Sequence, residues 1–455
     1  MGARTPRVAI VGAGPSGLFA TGALLRGSDE VRVDILDRLP TPYGLLRYGV
    51  APDHTSLQGI QRVLAEPFES DRVRFFGLVE LGSDIGADEL RAGYDAVVYA
   101  AGASEDRRLD VRGEGLPGSR SAREFVAWYC GHPDAEPQPL DDVTTAVTFG
   151  VGNVAIDVAR MLLADPADLA RTDMPHRVLD ELSAHRIPDV WVIGRRGPEH
   201  ATFTAPELRE LLALEGVQPV LHDPVPDDPA DADRRVRQNL AALREAALRV
   251  VGSPRARLHL AFWRRPVELV GATSVRAVVL ERTATDASGR VVGTGERDVL
   301  HTQLVLRAIG YRGTPLPGVP FDPHLGVVPN EDGRVVEGAG ARPGEYVVGW
   351  IKRGPLGVIG TNKSDAAATV RNLLADLPGL PTPTGPDAGA LLAARGRLAS
   401  TFADWERIDA EELAAGRRFG RPRVKVATWH ALTDLIRHGR PGGPLEQEDD
   451  DAPAG

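Results

Sequence analysis

Short apolar runs bounded by glycine recur along the chain, each followed by a stretch whose apolar residues return at helical spacing. Val8-Ala9-Ile10-Val11 is the first. An apolar run without polar alternation predicts a parallel strand buried on both faces. Gly12-Ala13-Gly14-Pro15-Ser16-Gly17 follows, then a helix over Leu18–Arg26 and a second strand over Val31–Leu36 that ends in Asp37. The same grammar returns later. Thr145–Phe149 predicts a strand, Gly150-Val151-Gly152-Asn153-Val154-Ala155 a turn, and Ile156–Ala164 a helix. Asp189–Ile193 is the next strand, and it runs into Gly194-Arg195-Arg196-Gly197. Ala96–Ala101, Leu304–Ile309 and Tyr346–Trp350 predict further strands. Two units of this kind predict an α/β protein with two Rossmann-like dinucleotide-binding domains.

Proline-rich and acidic stretches separate these units. His132–Asp142 reads as a connector, Asp223–Asp233 as a surface loop, and the chain from about His438, with Glu446–Asp451, as a flexible acidic tail. Val236, Leu240, Leu243, Ala247 and Val250 mark an amphipathic helix over Asp233–Val251.

Composition narrows the function. The 53 Lys+Arg against 63 Asp+Glu leave a net charge of −10, which argues against a nucleic-acid binder. No window approaches 18 uninterrupted apolar residues, so no membrane span is expected. The first residues lack the pattern of a secretory signal, and a cytoplasmic location is expected. The single cysteine, Cys130, excludes an intramolecular disulfide framework, a CxxC redox pair and a Cys-ligated iron–sulfur cluster. Its place beside the helix-like run Ser121–Tyr129 reads as a small hydrophobe rather than a nucleophile. No metal site is expected.

The chemistry lies in the glycine turns. Their glycines permit a tight turn and close approach of the backbone to a pyrophosphate, which then meets a helix N-terminus. In the first turn, Gly12, Gly14, Pro15, Ser16 and Gly17 are followed after 20 residues by Asp37, placed to bind both hydroxyls of an adenosine ribose. The second turn has Ala155 in third place and carries Arg195 and Arg196 where an acid would otherwise stand. A carboxylate repels a 2′-phosphate, whereas paired guanidiniums bind it in a fork. The first site suits FAD and the second NADP(H). Ala155 and Arg195 are 40 residues apart, so an insertion near Pro166–His185 must be looped out.

A third glycine-rich segment, Gly349–Asn362, predicts a strand end, a loop and a helix of about Asp365–Leu374. Backbone N–H groups at such a helix start could face the pyrimidine edge of an isoalloxazine, with Trp350 against the ring system. A packed turn with a core tryptophan is the competing reading.

Four segments together resemble the signature of adrenodoxin-reductase-type ferredoxin–NADP reductases. They are Pro42-Tyr43-Gly44-Leu45-Leu46-Arg47-Tyr48-Gly49-Val50-Ala51-Pro52-Asp53-His54, Gly150–Arg160, Gly194-Arg195-Arg196-Gly197-Pro198 and Gly349–Lys363. The resemblance extends to about Leu435. It implies an FAD domain from both chain ends (residues 1–105 and 316–437), an NADP domain (106–315) inserted between them, and the tail 438–455. It implies FAD contacts from Ser16, Asp37, Leu45, Val79, Trp350, Gly357, Val358 and Ile359. NADP contacts would come from Arg107, Asn153, Val154, Ala155, Ile156, Arg195, Arg196, Glu207 and Gly357. His54 and Glu207 match family residues near the nicotinamide–flavin stack. Asp37 replaces the glutamate more usual in the family, a change expected to alter FAD affinity little.

The reaction so implied carries electrons from NADPH through FAD to a ferredoxin, an acidic iron–sulfur protein that would supply haem monooxygenases. A flavin monooxygenase and a nucleotide-binding electron-transfer subunit are the alternatives, and the single cysteine argues against a disulfide reductase. For single residues blander roles stay open. His54 could cap a loop, Glu207 could be a first-turn acid favoured by a helix dipole, and Arg234, Arg235, Arg237, Arg244 and Arg249 could form a solvated face rather than a docking patch.

Overall fold

The computed structural model describes residues 5–54, 58–338, 340–357 and 359–439; nearly all of the expected acidic tail lies outside them. The strand Arg7–Val11 lies inside a seven-stranded sheet, flanked in parallel by Arg32–Leu36 and Ala96–Tyr99. Val73–Phe76 extends one side and Gly340–Val347 the other, also in parallel. Arg334–Glu337 and Asn330–Glu331 add an antiparallel edge. A second sheet has six strands, all parallel, in the order Ser119–Ser121, Leu304–Arg307, Thr145–Phe149, Asp189–Ile193, Ala256–Ala261, Val217–Leu221. The first sheet therefore draws on both ends of the chain, and the second is an insertion within it. A two-stranded ribbon, Glu105–Asp106 with Tyr311–Arg312, lies where the chain passes between them.

The apolar runs become strands because both faces of each sheet are covered. Val8, Ala9 and Ile10 are fully buried, as are Ala146 and Val147 at the equivalent place in the insertion. A three-stranded antiparallel sheet, Arg264–Val270, Ala277–Thr285 and Val291–His301, packs Val278 and Leu280 on the insertion's second face.

Several expected elements end early. Ala96–Ala101 and Leu304–Ile309 stop at Tyr99 and Arg307, where the chain leaves the sheet above the glycine turns. The strand expected to reach Trp350 stops at Val347, and Gly349, with a φ of 76°, turns the chain into a single helical turn, Trp350–Arg353. The following helix spans Ile359–Asp376, starting six residues before the expected Asp365. The amphipathic helix is Arg234–Leu248; Val250 lies beyond its end and is 87% exposed, so it is not part of the apolar face. Asp223, expected on the surface, has its side chain largely covered and accepts from Arg264 and Arg282. Two helices, Pro166–Leu169 and His176–Ala184, account for the long spacing to Arg195.

The Pro42–His54 motif is anchored to the C-terminal helix Phe402–Arg418. Tyr43 donates its N–H to the Ala13 carbonyl at 2.8 Å and packs edge-on against Trp405, with ring centres 5.7 Å apart. Arg47 and Glu412 form a buried bidentate pair, and Glu412 also accepts from Arg423 at 3.1 Å and from the Val426 N–H at 2.8 Å. Breaking a buried pair leaves an uncompensated charge and costs about 3–5 kcal/mol. Glu412→Ala should therefore lower the unfolding midpoint sharply, because it strands Arg47; a midpoint equal to that of the wild type would contradict this.

Candidate active site

The two glycine turns repeat one geometry. Gly12 has a φ of 113°, and a Cβ there would lie 2.6 Å from the Ala100 carbonyl oxygen. Gly150 has a φ of 133°, and its Cβ would lie 2.1 Å from the Ala308 oxygen. Each turn thus presses against the segment leaving the neighbouring strand, and only glycine fits. The helices Pro15–Gly27 and Asn153–Leu163 begin at Gly14 and Gly152 with no side-chain cap. Uncapped N–H groups at a helix start form an anion site. A Cβ at Gly14 would meet nothing within 4 Å, so the cradle over the first turn is open.

Around that turn, Asp37 accepts from the Ala13 N–H at 2.7 Å and the Leu39 N–H at 2.9 Å. Burial raises its pKa, and these two bonds work in the opposite direction. Its carboxylate thus holds the glycine turn from below. Ser16 packs against Gly349, where a Cβ would fall 2.2 Å from its Oγ, so the first and third glycine segments meet. Leu45 is 40% exposed at the start of the turn Leu45–Tyr48. Val79 buries its side chain in the core, which leaves only its backbone to reach a ligand.

At the second turn Ala155 and Ile156 are likewise buried, so contact there runs through the backbone. Asn153 Oδ1 accepts from the Thr204 N–H at 2.8 Å and pins the start of the helix Ala205–Leu212. Arg195 and Arg196 are exposed, and neither side chain has an ion-pair partner among the described residues. Their backbone is held: Thr283 Oγ1 donates to the Arg195 carbonyl at 2.8 Å. Arg107 is exposed beside the ribbon, its N–H on the Gly310 carbonyl at 3.0 Å.

Between the turns lies a charged cluster. His54 Nε2 is 3.1 Å from Asp157 Oδ1 and 3.1 Å from Glu207 Oε2. Arg160, one turn along the helix from Asp157, makes a bidentate pair with Asp53 at 2.6 and 2.9 Å. Its guanidinium also lies 2.9 Å from Asp157 and 3.2 Å from Glu207. Burial lowers the His54 pKa, but hydrogen bonds to Asp157 and Glu207 outweigh it and carry the group to about 10. Burial raises Glu207, yet His54 and Arg160 hold it below its ordinary value. His54, Asp157 and Glu207 are close enough to share an ion, but the Arg160 guanidinium already supplies the cation there.

In the third segment Trp350 stacks on Tyr311, ring centres 5.9 Å apart. Its indole Nε1 is buried with no hydrogen-bond partner among the described residues, as expected of a donor reserved for a ligand. Gly357 keeps a φ of 86°. Val358 lies outside the described residues, and Ile359 opens the following helix.

No family profile matches the chain. Individual relatives do. The NADPH-ferredoxin reductase FprA of Mycobacterium tuberculosis is 45% identical over 95% of this chain and 98% of its own length. Human mitochondrial NADPH:adrenodoxin oxidoreductase is 41% identical over 96% and 93%. The chain belongs to the adrenodoxin-reductase-type ferredoxin–NADP reductases. The solved structure of M. tuberculosis FprA in complex with NADPH superposes with a TM-score of 0.88 at 44% identity, covering 96% of this chain and all of that one.

Asp53, Asp157, Arg160 and Glu210 belong to the charged cluster, and sequence reasoning assigned no role to them. The available signal was a polar pair, Asp157 and Arg160, at i and i+3 on a helix whose other residues are largely buried. Cys130 is buried, its Sγ–H on the Val50 carbonyl at 3.1 Å, and burial pushes the thiol up to about 12, which removes it as a nucleophile.

A folded-state His54 near 10, against an ordinary 6.5, makes its proton stabilising. That stabilisation is complete below about pH 6.5 and is lost as the pH rises through about 10. Thermal midpoints across this window should therefore fall more steeply for the wild type than for His54→Gln. Parallel curves would contradict the ion pairing.

Proposed function

We propose that this chain is an FAD-dependent reductase that passes electrons from NADPH to a ferredoxin. The observation that carries the reading is the pair of uncapped glycine-turn helices, one with a carboxylate at its second strand and the other with two exposed arginines. The open cradle at Gly14 and the unpartnered Trp350 indole fit a flavin dinucleotide. When bound, FAD supplies the conversion between a two-electron hydride donor and a one-electron acceptor.

The protein supplies position and field. Gly12, Gly14, Pro15, Ser16, Gly17, Asp37 and Leu45 would hold the FAD adenosine and pyrophosphate, with the Val79 backbone, Trp350 and Gly357 nearer the rings. The backbone of Asn153–Ile156 would bind the NADPH pyrophosphate, Arg107 would assist, and Arg195 and Arg196 would hold the 2′-phosphate. His54 and Glu207 would border the nicotinamide, with the His54 Nε2 proton shared between Asp157 and Glu207. The units divide, on this reading, at 105/106 and 315/316, a division supported by the ribbon that joins them.

For the acidic partner, the first turn of Arg234–Leu248 is the supported face. Arg234, Arg235 and Arg237 are exposed, Arg235 with only a 3.7 Å pair to the likewise exposed Asp233, whereas Arg244 is paired with Asp228 at 2.7 Å and Arg249 donates to the Leu212 and Leu214 carbonyls. A ferredoxin that in turn supplies haem monooxygenases, and a cytoplasmic site of action, complete the reading on the family resemblance. No described helix is long and apolar enough to cross a membrane.

Ferredoxin-dependent cytochrome c reduction driven by NADPH tests the activity directly. Its coenzyme preference tests the site. Hydrogen bonds to charged groups contribute about 1.5–3 kcal/mol each, so two arginines should favour NADPH on the order of a hundredfold. The 2′-phosphate is remote from the transferred hydride, so Arg195→Ala with Arg196→Ala should raise the NADPH Michaelis constant and leave NADH use nearly unchanged. A wild-type enzyme preferring NADH, or a double variant with the original preference, would overturn the assignment.

A further inference from the structure

The side chain at the centre of the cleft has no role so far. Arg160 is 2% exposed, yet its guanidinium meets five groups. They are Asp53 at 2.6 and 2.9 Å, His54 Nε2 at 2.7 Å, Asp157 at 2.9 Å, Glu207 at 3.2 Å and Glu210 at 3.3 Å. Asp53 and His54 come from the loop of the terminal-end domain; the three others come from two helices of the inserted domain. One buried fork therefore ties the two domains together at the point where the coenzymes would meet.

The contact with His54 has a second consequence. Asp157 and Glu207 can accept from Nε2 only when that nitrogen carries a hydrogen, whereas Arg160 Nη2 can donate to it only when it does not. Arg160 thus competes with the proton for one lone pair and with the protonated ring for two carboxylates. The charged groups facing His54 are Asp53 from its own loop, Asp157 and Arg160 from one helix, and Glu207 and Glu210 from the other. Arg160 is the one cation among them, and the electrostatics agree: its charge lowers the His54 pKa while the hydrogen bonds to Asp157 and Glu207 raise it.

Position on the helix matters as well. Arg160 stands seven residues after Asn153, ~10 Å along the same rigid rod at 1.5 Å per residue. A phosphate bound at the helix start and the His54 loop are thereby set at a fixed separation.

We propose that Arg160 is a positioning residue for the NADPH half-reaction: its fork holds the Pro52–His54 segment against the carboxylates of the inserted domain and limits how firmly His54 keeps its proton. The proposal rests on the reading that the nicotinamide lies beside His54. Lysine cannot replace the fork, because an ammonium is a point charge that cannot bridge several carboxylates in fixed geometry.

The test uses holoenzyme labelled with 15N-histidine, with the His54 signal assigned by its absence from His54→Gln. Arg160→Gln should move the His54 titration midpoint upward by about one pH unit. Arg160→Lys, which retains the charge and serves if Arg160→Gln fails to fold, should keep the midpoint within about half a unit. It should nevertheless slow flavin reduction at saturating NADPH about tenfold or more, with FAD content and Michaelis constant little changed. An unchanged or lowered midpoint in Arg160→Gln, or a wild-type rate in Arg160→Lys, overturns the proposal. If instead His54→Gln reduces its flavin at the wild-type rate, the placement of the nicotinamide fails; the histidine titration, which needs no coenzyme, still decides the role of Arg160.

Discussion

The two helices that follow the glycine turns begin with bare backbone N–H groups, and the rest of the structure is arranged around that constraint. A helix start without a cap leaves donors that only water or a ligand can satisfy. Here both starts, at Gly14 and Gly152, follow a glycine forced into left-handed backbone by the carbonyl of an adjoining segment. Capping either helix with its own side chain would fill the space a pyrophosphate needs. The sheets, their parallel order and the burial of their apolar strands serve to hold these two ends in place.

What makes one cleft of two sites is the set of ions that crosses between domains. Arg160 to Asp53 is the innermost link. Farther out, Lys425 reaches Asp173 at 3.0 Å, and Arg421 donates to the Thr172 carbonyl at 2.9 Å and to that of Met174. The C-terminal segment thus straps the helical insertion that follows the second glycine turn. The long spacing to Arg195, which a local reading treats as an irregularity, supplies the surface this strap grips.

Much of this was legible in the chain. Strands buried on both faces write themselves as unbroken apolar runs, so both parallel sheets and both turns were evident, as was the pair of exposed arginines just past the end of a strand. The Arg160 cluster was not, because the i,i+3 pair with Asp157 is its one local mark and its partners Asp53 and His54 lie about a hundred positions away. Asp37 follows the second strand directly, as the sequence predicts, but its hydrogen bond from the Ala13 N–H of the turn depends on how the loop closes. Helix ends failed where propensity had no strong stop: Val250 continued the period but not the helix, and Ile359 started one that lacked a visible cap.

The most direct test of the account is a crystal structure of this protein grown with FAD and NADP+. The account predicts the FAD pyrophosphate over Gly12–Gly17 with its ribose at Asp37, the 2′-phosphate within hydrogen-bond distance of Arg195 or Arg196, and the nicotinamide beside His54 and Glu207. Coenzymes exchanged between the two turns, or a 2′-phosphate that touches neither arginine, would contradict it.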